Sequence, residues 1–270
     1  MLLRRYRRGR LRAREFPAKW IPILERNFLH YHFLPEGDLR ELLGHIQVFT
    51  AEKRFFGGKD FEVTDEMKVT VAAYACLLLL HRETNYFPGM QTIVLYPTEY
   101  LAPFRERDPT GVIIEGYQVR SGEAWQRGPV VLSWEAVRRD SRRRRCRHVV
   151  IHEFAHQLDY ESGYAEGTPA IAGRISQEEW ARVMRAEYQR LHRAALLGRA
   201  TLLDRYGIQS PTEFFAVVVE AFFMCPRALA SDHPQLYGAL KTFFRQDPAR
   251  DWLPIPGQAS DRSTSKRLGK

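Results

Sequence analysis

The sequence predicts an α+β fold, mostly helical, with a small mixed β-sheet beside one buried helix. Three observations carry that expectation. Apolar residues recur at helical spacing through most of the chain. Two short β-branched runs, TIVLY at 92–96 and VVLSW at 130–134, are bounded by turn residues. Between them and the C-terminal helices lies VVIHEFAHQLDY at 149–160, a helical segment whose polar residues are enclosed by apolar ones.

In order, residues 1–16 form a basic and flexible arm, and 17–60 a helical segment packed on the main domain. Within that segment, 21–33 and 39–49 carry helical periodicity, with an apolar stripe of Leu39, Leu42, Leu43, Ile46 and Phe49 after the break Pro35-Glu36-Gly37-Asp38. The main domain covers 61–250 and is opened by a core helix over 65–80 behind the N-terminal signal Thr64-Asp65-Glu66. Strands are expected at 92–96, 112–119 and 130–134, then an arginine-rich loop over 138–147. Past the 149–160 helix, 163–173 reads as a loop. Ser176 and Glu179 form a capping box for the next helix, which stops near Gly198. Ser210-Pro211 opens another helix, and Asp232 and Pro234 begin a last one ending at Phe244. Residues 251–270 read as a disordered basic tail.

Charge and cysteine usage bound the setting. The net charge of +9 is local: 1–16 and 138–147 each carry +6 and 258–270 carries +3, so the rest of the chain is at −6. Such runs suit a solvated surface, and direct nucleic-acid binding is the less favoured reading, because no aromatic residue interleaves with 138–147. The longest apolar run, 69–80, falls short of the roughly 20 residues needed to cross a bilayer. No apolar segment follows the basic start, and Cys76, Cys146 and Cys225 form no CxxC pair, so a cytoplasmic, reducing location is expected. Cys146 reads as an idle thiol.

The HEFAH at 152–156 is the chemical signal. His152 and His156 lie four apart, on one helix face, so both imidazoles can reach one metal ion. Glu153 sits about 100° further round, beside the metal, where it can hold a water. The apolar flanks bury the helix, and buried imidazoles and carboxylates need partners. A zincin-like metallopeptidase meets these demands, with one Zn2+ per chain. Its third ligand must come from elsewhere, since Asp159 and Ser162 occupy the places that would extend the motif. Asp159, Glu161, Glu166, His192, Glu213, Glu220 and His233 are candidates. Asp159 more naturally orients a ligating histidine. Glu213 and Glu220, seven apart on one helix face, are stronger and evenly matched: Glu213 doubles as the fourth member of the Ser210 capping box, and Glu220 is embedded in AVVVEAFF. Tyr206 stands just ahead, a phenol able to hydrogen-bond an oxyanion.

IVLYP at 93–97, SGEAWQRGPVVLSW at 121–134, VVIHEFAHQLDY at 149–160 and LDRYGIQSPTEFFAVVVEAFF at 203–223 together resemble the Mlc titration factor A family, bacterial zinc peptidases structurally related to the catalytic domain of anthrax lethal factor. The resemblance spans roughly 61–248. It implies zinc ligation by His152, His156 and Glu213, a transition-state role for Tyr206, and Glu220 as a carboxylate behind the ligands. It also implies a transcriptional repressor as partner. The arginine-rich arm and the 138–147 run are not part of the resemblance.

The expectation is therefore a gluzincin-type zinc peptidase, leaning to aminopeptidase activity, acting on a peptide or protein substrate through a metal-polarised water that Glu153 activates. VVLSW is expected to be the edge strand that aligns the substrate backbone. The alternative is a regulatory protein that sequesters a transcription factor, with zinc structural or vestigial; an intact Glu153 speaks against it.

Overall fold

A computed structural model describes residues 2–58, 60–107, 113–126, 128–143, 145–163, 167–170 and 175–252. Helix α1 (Leu2–Arg12) comes first, followed by α2 (Ile21–Asn27) and α3 (Glu36–Glu52). Strand β1 (Arg54–Gly57) and helix α4 (Asp65–Leu77) lead into β2 (Thr92–Tyr96) and a hairpin of β3 (Tyr100–Arg107) and β4 (Ile113–Arg120). Next are β5 (Gly122–Ala124), β6 (Val130–Ser133), α5 (Trp134–Arg142) and α6 (Val149–Tyr160). The chain closes with α7 (Gln177–Leu196), a 3-10 turn at Arg205–Ile208, α8 (Pro211–Met224), α9 (Pro226–Asp232), α10 (Pro234–Phe244) and α11 (Pro248–Asp251). The fold is α+β. Among the described residues no single helix is long and apolar enough to cross a membrane.

The main sheet is mixed, in the order β1-β2-β6-β5, with β1, β2 and β6 parallel and β5 antiparallel to β6. This corrects the expectation for VVLSW. β6 is an inner strand whose register with β2 pairs Leu95 with Leu132, both fully buried. Trp134 leaves the strand to open α5, where Ser133 Oγ accepts from Ala136 N at 3.1 Å as an N-cap. The edges are β1 and the short β5, and β5 is the one beside α6.

Most helices start and stop where local chemistry dictates. Thr64 caps α4, whose residues from Val69 to Leu77 are all buried, and Ser176 Oγ accepts from Glu179 N (3.1 Å) at the start of α7. α7 ends before Gly198, at φ +63°. Other expectations need correction. α3 begins at Glu36, so the expected break lies in its first turn, where Glu36 and Asp38 suit the helix dipole. α2 ends at Asn27, because Phe28 is already extended. β4 covers the expected strand from Ile113 on; Val112 lies outside the described residues. Much of the expected loop at 163–173 also lies outside them.

The basic arm is a helix. Arg8 of α1 is buried and donates to both carboxylate oxygens of Glu52 on α3, at 3.0 and 2.7 Å, with Tyr86 beneath its guanidinium at 4.6 Å. A bidentate pair of this kind holds geometry far better than an exposed one. The arginine-rich loop is half helix as well: 138–142 are the last turns of α5, which hides Trp134, Ala136, Val137 and Ser141 against the core. Trp252, expected in the tail, is buried between His30 and Phe223; the tail from 253 on lies outside the described residues.

Cys146 is not idle. It is bonded to Cys225, joining the segment before α6 to the end of α8 across 79 residues, while Cys76 is free and buried. The cysteine argument for a reducing compartment therefore falls. Closing a loop of that length stabilises by about 4 kcal/mol in the chain-entropy picture. The Cys146→Ser/Cys225→Ser protein is accordingly expected to melt roughly 5–15 °C lower. Calorimetry with and without reductant checks this, and an unchanged midpoint would count against the bond.

Candidate metal centre

α6 is buried nearly all round, with Val150, Ile151, Phe154 and Ala155 at 0% exposure. It lies between the sheet, α4 and α8. α8 is more apolar still, every residue from Phe214 to Met224 being buried. Two carboxylates interrupt that surface, Glu213 and Glu220, two turns apart on the side facing α6. Their approach to His152 assembles the site.

His152 Nε2 is 3.0 Å from Glu213 Oε2, and His156 Nε2 is 3.6 Å from the same oxygen. One ligand atom from each of His152, His156 and Glu213 falls within 4.8 Å of the others. Glu220 stands behind: its Oε2 is 3.2 Å from His152 Nδ1, and its Oε1 accepts from His148 N at 2.8 Å. Glu213 fills both of the places the sequence left open to it. Its backbone N donates to Ser210 Oγ (3.1 Å) as part of the cap, while its side chain enters the cleft.

The same cleft, about 400 Å³, is lined by Glu153 and Tyr206. Tyr206, on the 3-10 turn, is 46% exposed, with its ring centroid 5.9 Å from that of His152. Asp159 sits deeper, and its Oδ2 accepts from Gly167 N at 2.8 Å. Gly167 (φ +68°) lies so close to Pro211 that a Cβ there would meet Pro211 O at 2.3 Å. Asp159 thereby ties the segment after α6 to the start of α8, just ahead of Glu213. Of the remaining third-ligand candidates, His233 pairs with Glu187 at 2.7 Å and His192 packs on Tyr188, neither lining the cleft. Glu161 faces the charges of Arg82 and Lys53, and Glu166 lies outside the described residues.

The donor set fits a borderline metal ion such as zinc: two imidazole nitrogens and one carboxylate, with a further carboxylate on the far nitrogen of one imidazole. The electrostatics agree. Burial opposes charge on His152, yet Glu220 and Glu213 hold its pKa well above the usual imidazole value. Burial also pushes the Glu213 carboxyl up, but the adjoining His152 and His156 imidazoles outweigh it and hold it far below the carboxylate range. Burial raises Glu153 to about 8. Without metal, then, a proton on His152 holds the two helices together. That contribution is fully present below the free imidazole pKa and is lost as pH rises through the elevated folded value. A metal must displace this proton. Zinc uptake at pH 7 is therefore expected to release about two protons per chain, one from His152 and one from Glu153 as the dication favours its carboxylate, with apparent affinity rising with pH. Titration calorimetry in buffers of different ionisation enthalpy reads it, and a buffer-independent heat would contradict the assignment.

Sequence reasoning missed β5. Ser-Gly-Glu-Ala has no alternating pattern to mark a strand, yet Gly122 lies directly against the site: a Cβ there would be 2.5 Å from Glu153 Oε1. Tyr160 Oη donates to Ala124 O (3.2 Å) and Gln157 Nε2 to Trp125 O (3.2 Å), so α6 also fastens the far end of the strand. Arg120 and Arg147 line the cleft too, and no spacing rule would have found them.

The chain is 35% identical over 246 residues to an uncharacterised protein of Synechocystis sp., covering 90% of this chain and 89% of the other. It is 31% identical over 218 residues to Mlc titration factor A of Pectobacterium atrosepticum, covering 80% and 82% respectively. To Mlc titration factor A of Yersinia pestis it is 28% identical over 219 residues, 80% of each chain. The model of the glucose-regulated metallo-peptidase family M90 matches residues 3–245. With that span matched, and the resemblance to Mlc titration factor A upheld, this chain belongs to the M90 metallopeptidase family.

Proposed function

We infer that this chain is a zinc-dependent peptidase with a zincin-like catalytic domain, of gluzincin type, in which His152, His156 and Glu213 hold the metal. The observation that carries the reading is the convergence of those three side chains in a cleft that Glu153 also lines. Bound zinc supplies Lewis acidity, polarising a carbonyl and bringing the pKa of a water down towards about 7.

The protein's own residues do the rest. Glu153 accepts the proton of the attacking water and returns it to the leaving amine. Its carboxyl, raised to about 8 by burial in the metal-free chain, is drawn back towards ionisation by a neighbouring dication. Glu220 fixes the orientation of His152 through Nδ1. Asp159 acts on the Gly167 segment and hence on the start of α8. Tyr206, pushed up to about 12 mainly by burial, keeps its phenolic proton at neutral pH and can donate it in a hydrogen bond to an oxyanion. The substrate backbone adds to β5 at the sheet edge, where Gly122 has no side chain to hold it away from Glu153.

Tyr206→Phe is expected to lower kcat by about 10–100-fold with metal content unchanged. Unaltered turnover, with metal content measured alongside, would remove the phenol from the mechanism. The reading as a whole is tested by hydrolysis of a mixed peptide library: loss of cleavage on chelation and recovery with zinc support it, and silence of the zinc-loaded protein counts against it. A lean towards aminopeptidase activity follows from the family resemblance. Paired substrates with free and acetylated N-termini decide it, since equal cleavage would mean internal cutting. A second role is favoured by the name of two relatives, Mlc titration factor A: engagement of a transcriptional regulator, for which co-purification with the zinc-loaded chain is the check.

A further inference from the structure

Seven arginines crowd residues 138–147, and nothing in the metal centre uses most of them. A charge run is ordinarily a solvated face. This one differs in three respects.

It lines a hollow. Arg139, Arg143, Arg145 and Arg147, with Glu99, Asp140 and Ser121, surround a cavity of about 350 Å³, four arginines against two carboxylates. Ser121 and Arg147 also line the metal cleft, so the two adjoin.

The described residues on either side are also held in place. Cys146, between two of these arginines, is bonded to Cys225. Immediately beyond, His148 N donates to Glu220 and Val149 N to Asp140 Oδ2 at 3.0 Å. Within the hollow, Glu99 Oε1 accepts from Ser121 Oγ (2.7 Å) and Arg139 Nη1 (3.3 Å). A solvated loop needs no such anchoring, whereas a binding surface gains affinity from it because less entropy is lost on association.

Part of its charge is uncompensated. Arg139 pairs with Glu99 and Asp140, and Arg147 approaches Asp204 at 3.8 Å. Among the described residues no carboxylate lies within ion-pair distance of Arg143 or Arg145, both exposed.

Position then selects the ligand. Ser121 immediately precedes Gly122, the residue against Glu153. A strand advances about 3.3 Å per residue, so the hollow opens roughly one or two residues along from the reacting point of a peptide laid on β5. We propose that this basic hollow is a specificity subsite that takes a carboxylate of the peptide substrate, with Arg143 and Arg145 as the contacting groups. Guanidinium forks match carboxylate geometry. The proposal rests on the peptidase reading for its substrate, and its test separates the two.

Fluorescein-labelled peptides are used in which one Glu, or Gln in its place, is walked along a neutral sequence, each with a free or amidated C-terminus. Binding is measured by anisotropy to zinc-loaded full-length Glu153→Gln, alone and combined with Arg143→Glu/Arg145→Glu. Cleavage of the same peptides is measured with wild type. At one position the Glu peptide is expected to bind about tenfold or more tightly than its Gln counterpart. That ratio should collapse in the combined variant and weaken with salt. The Arg143→Gln/Arg145→Gln pair provides a milder version, with the thermal midpoint confirming folding. If free C-termini bind more tightly than amidated ones with Glu and Gln alike, the carboxylate is the chain terminus; if the Glu preference persists on amidation, it is the side chain. Equal affinity across the set, absence of binding included, or a preference that survives both arginine variants, overturns the proposal. Acidic preference without cleavage would sink the peptidase reading and keep the subsite; cleavage without preference would do the reverse.

Discussion

Zinc-loaded Glu153→Gln is expected to keep its metal and to lose peptide hydrolysis by roughly 10²–10⁴-fold. The substitution preserves shape and hydrogen-bonding length, so α6 and its packing should survive. It removes a buried carboxylate of the cleft that follows His152 directly in the helix and lies outside the ligand triad of His152, His156 and Glu213. A glutamine cannot accept the proton of the attacking water at neutral pH, and burial gives no bulk water ready access to replace it: Glu153 is 5% exposed. Metal analysis and kcat on the same preparation read both halves. Parallel loss of metal and hydrolysis would mean that Glu153 is a ligand or a structural support.

The largest effect on metal content is expected from Glu213→Ala. Two imidazoles alone make a poor zinc site, so affinity should fall by more than the 10–100-fold typical of a residue behind the ligands. The helix itself should tolerate the change, because the cap runs from Ser210 Oγ to the backbone N of Glu213, which alanine retains. Glu220→Ala should cost only that smaller factor in affinity. It should also destabilise the fold, by about 1–3 kcal/mol, since His148 N loses its buried acceptor. Zinc retained in Glu213→Ala and lost in Glu220→Ala would reverse the roles.

What could be read in the sequence depends on the range of the forces involved. His152 and His156 share a face because the helical period puts them there, and their apolar neighbours announce burial. The caps at Thr64, Ser176 and Ser210 are local hydrogen bonds, legible within four residues. Glu213 and Glu220 were harder, because both face α6 and only the packing of α8 decides which imidazole nitrogen each meets. The arm failed for a related reason: its seven arginines look solvated until Glu52 and Tyr86, more than forty residues on, cover Arg8. β5 has three residues and no pattern, and it exists because β6 offers it a partner. The Cys146–Cys225 bond spans 79 residues, and an odd cysteine count concealed it.

The most direct measurement is a crystal structure of the zinc-loaded protein with anomalous data collected on both sides of the zinc edge. One peak per chain is expected, about 2.0–2.2 Å from His152 Nε2, His156 Nε2 and a Glu213 oxygen, with the fourth position open towards Glu153. A peak elsewhere, or a fourth protein ligand closing the site, would contradict the assignment of this centre as a catalytic zinc site.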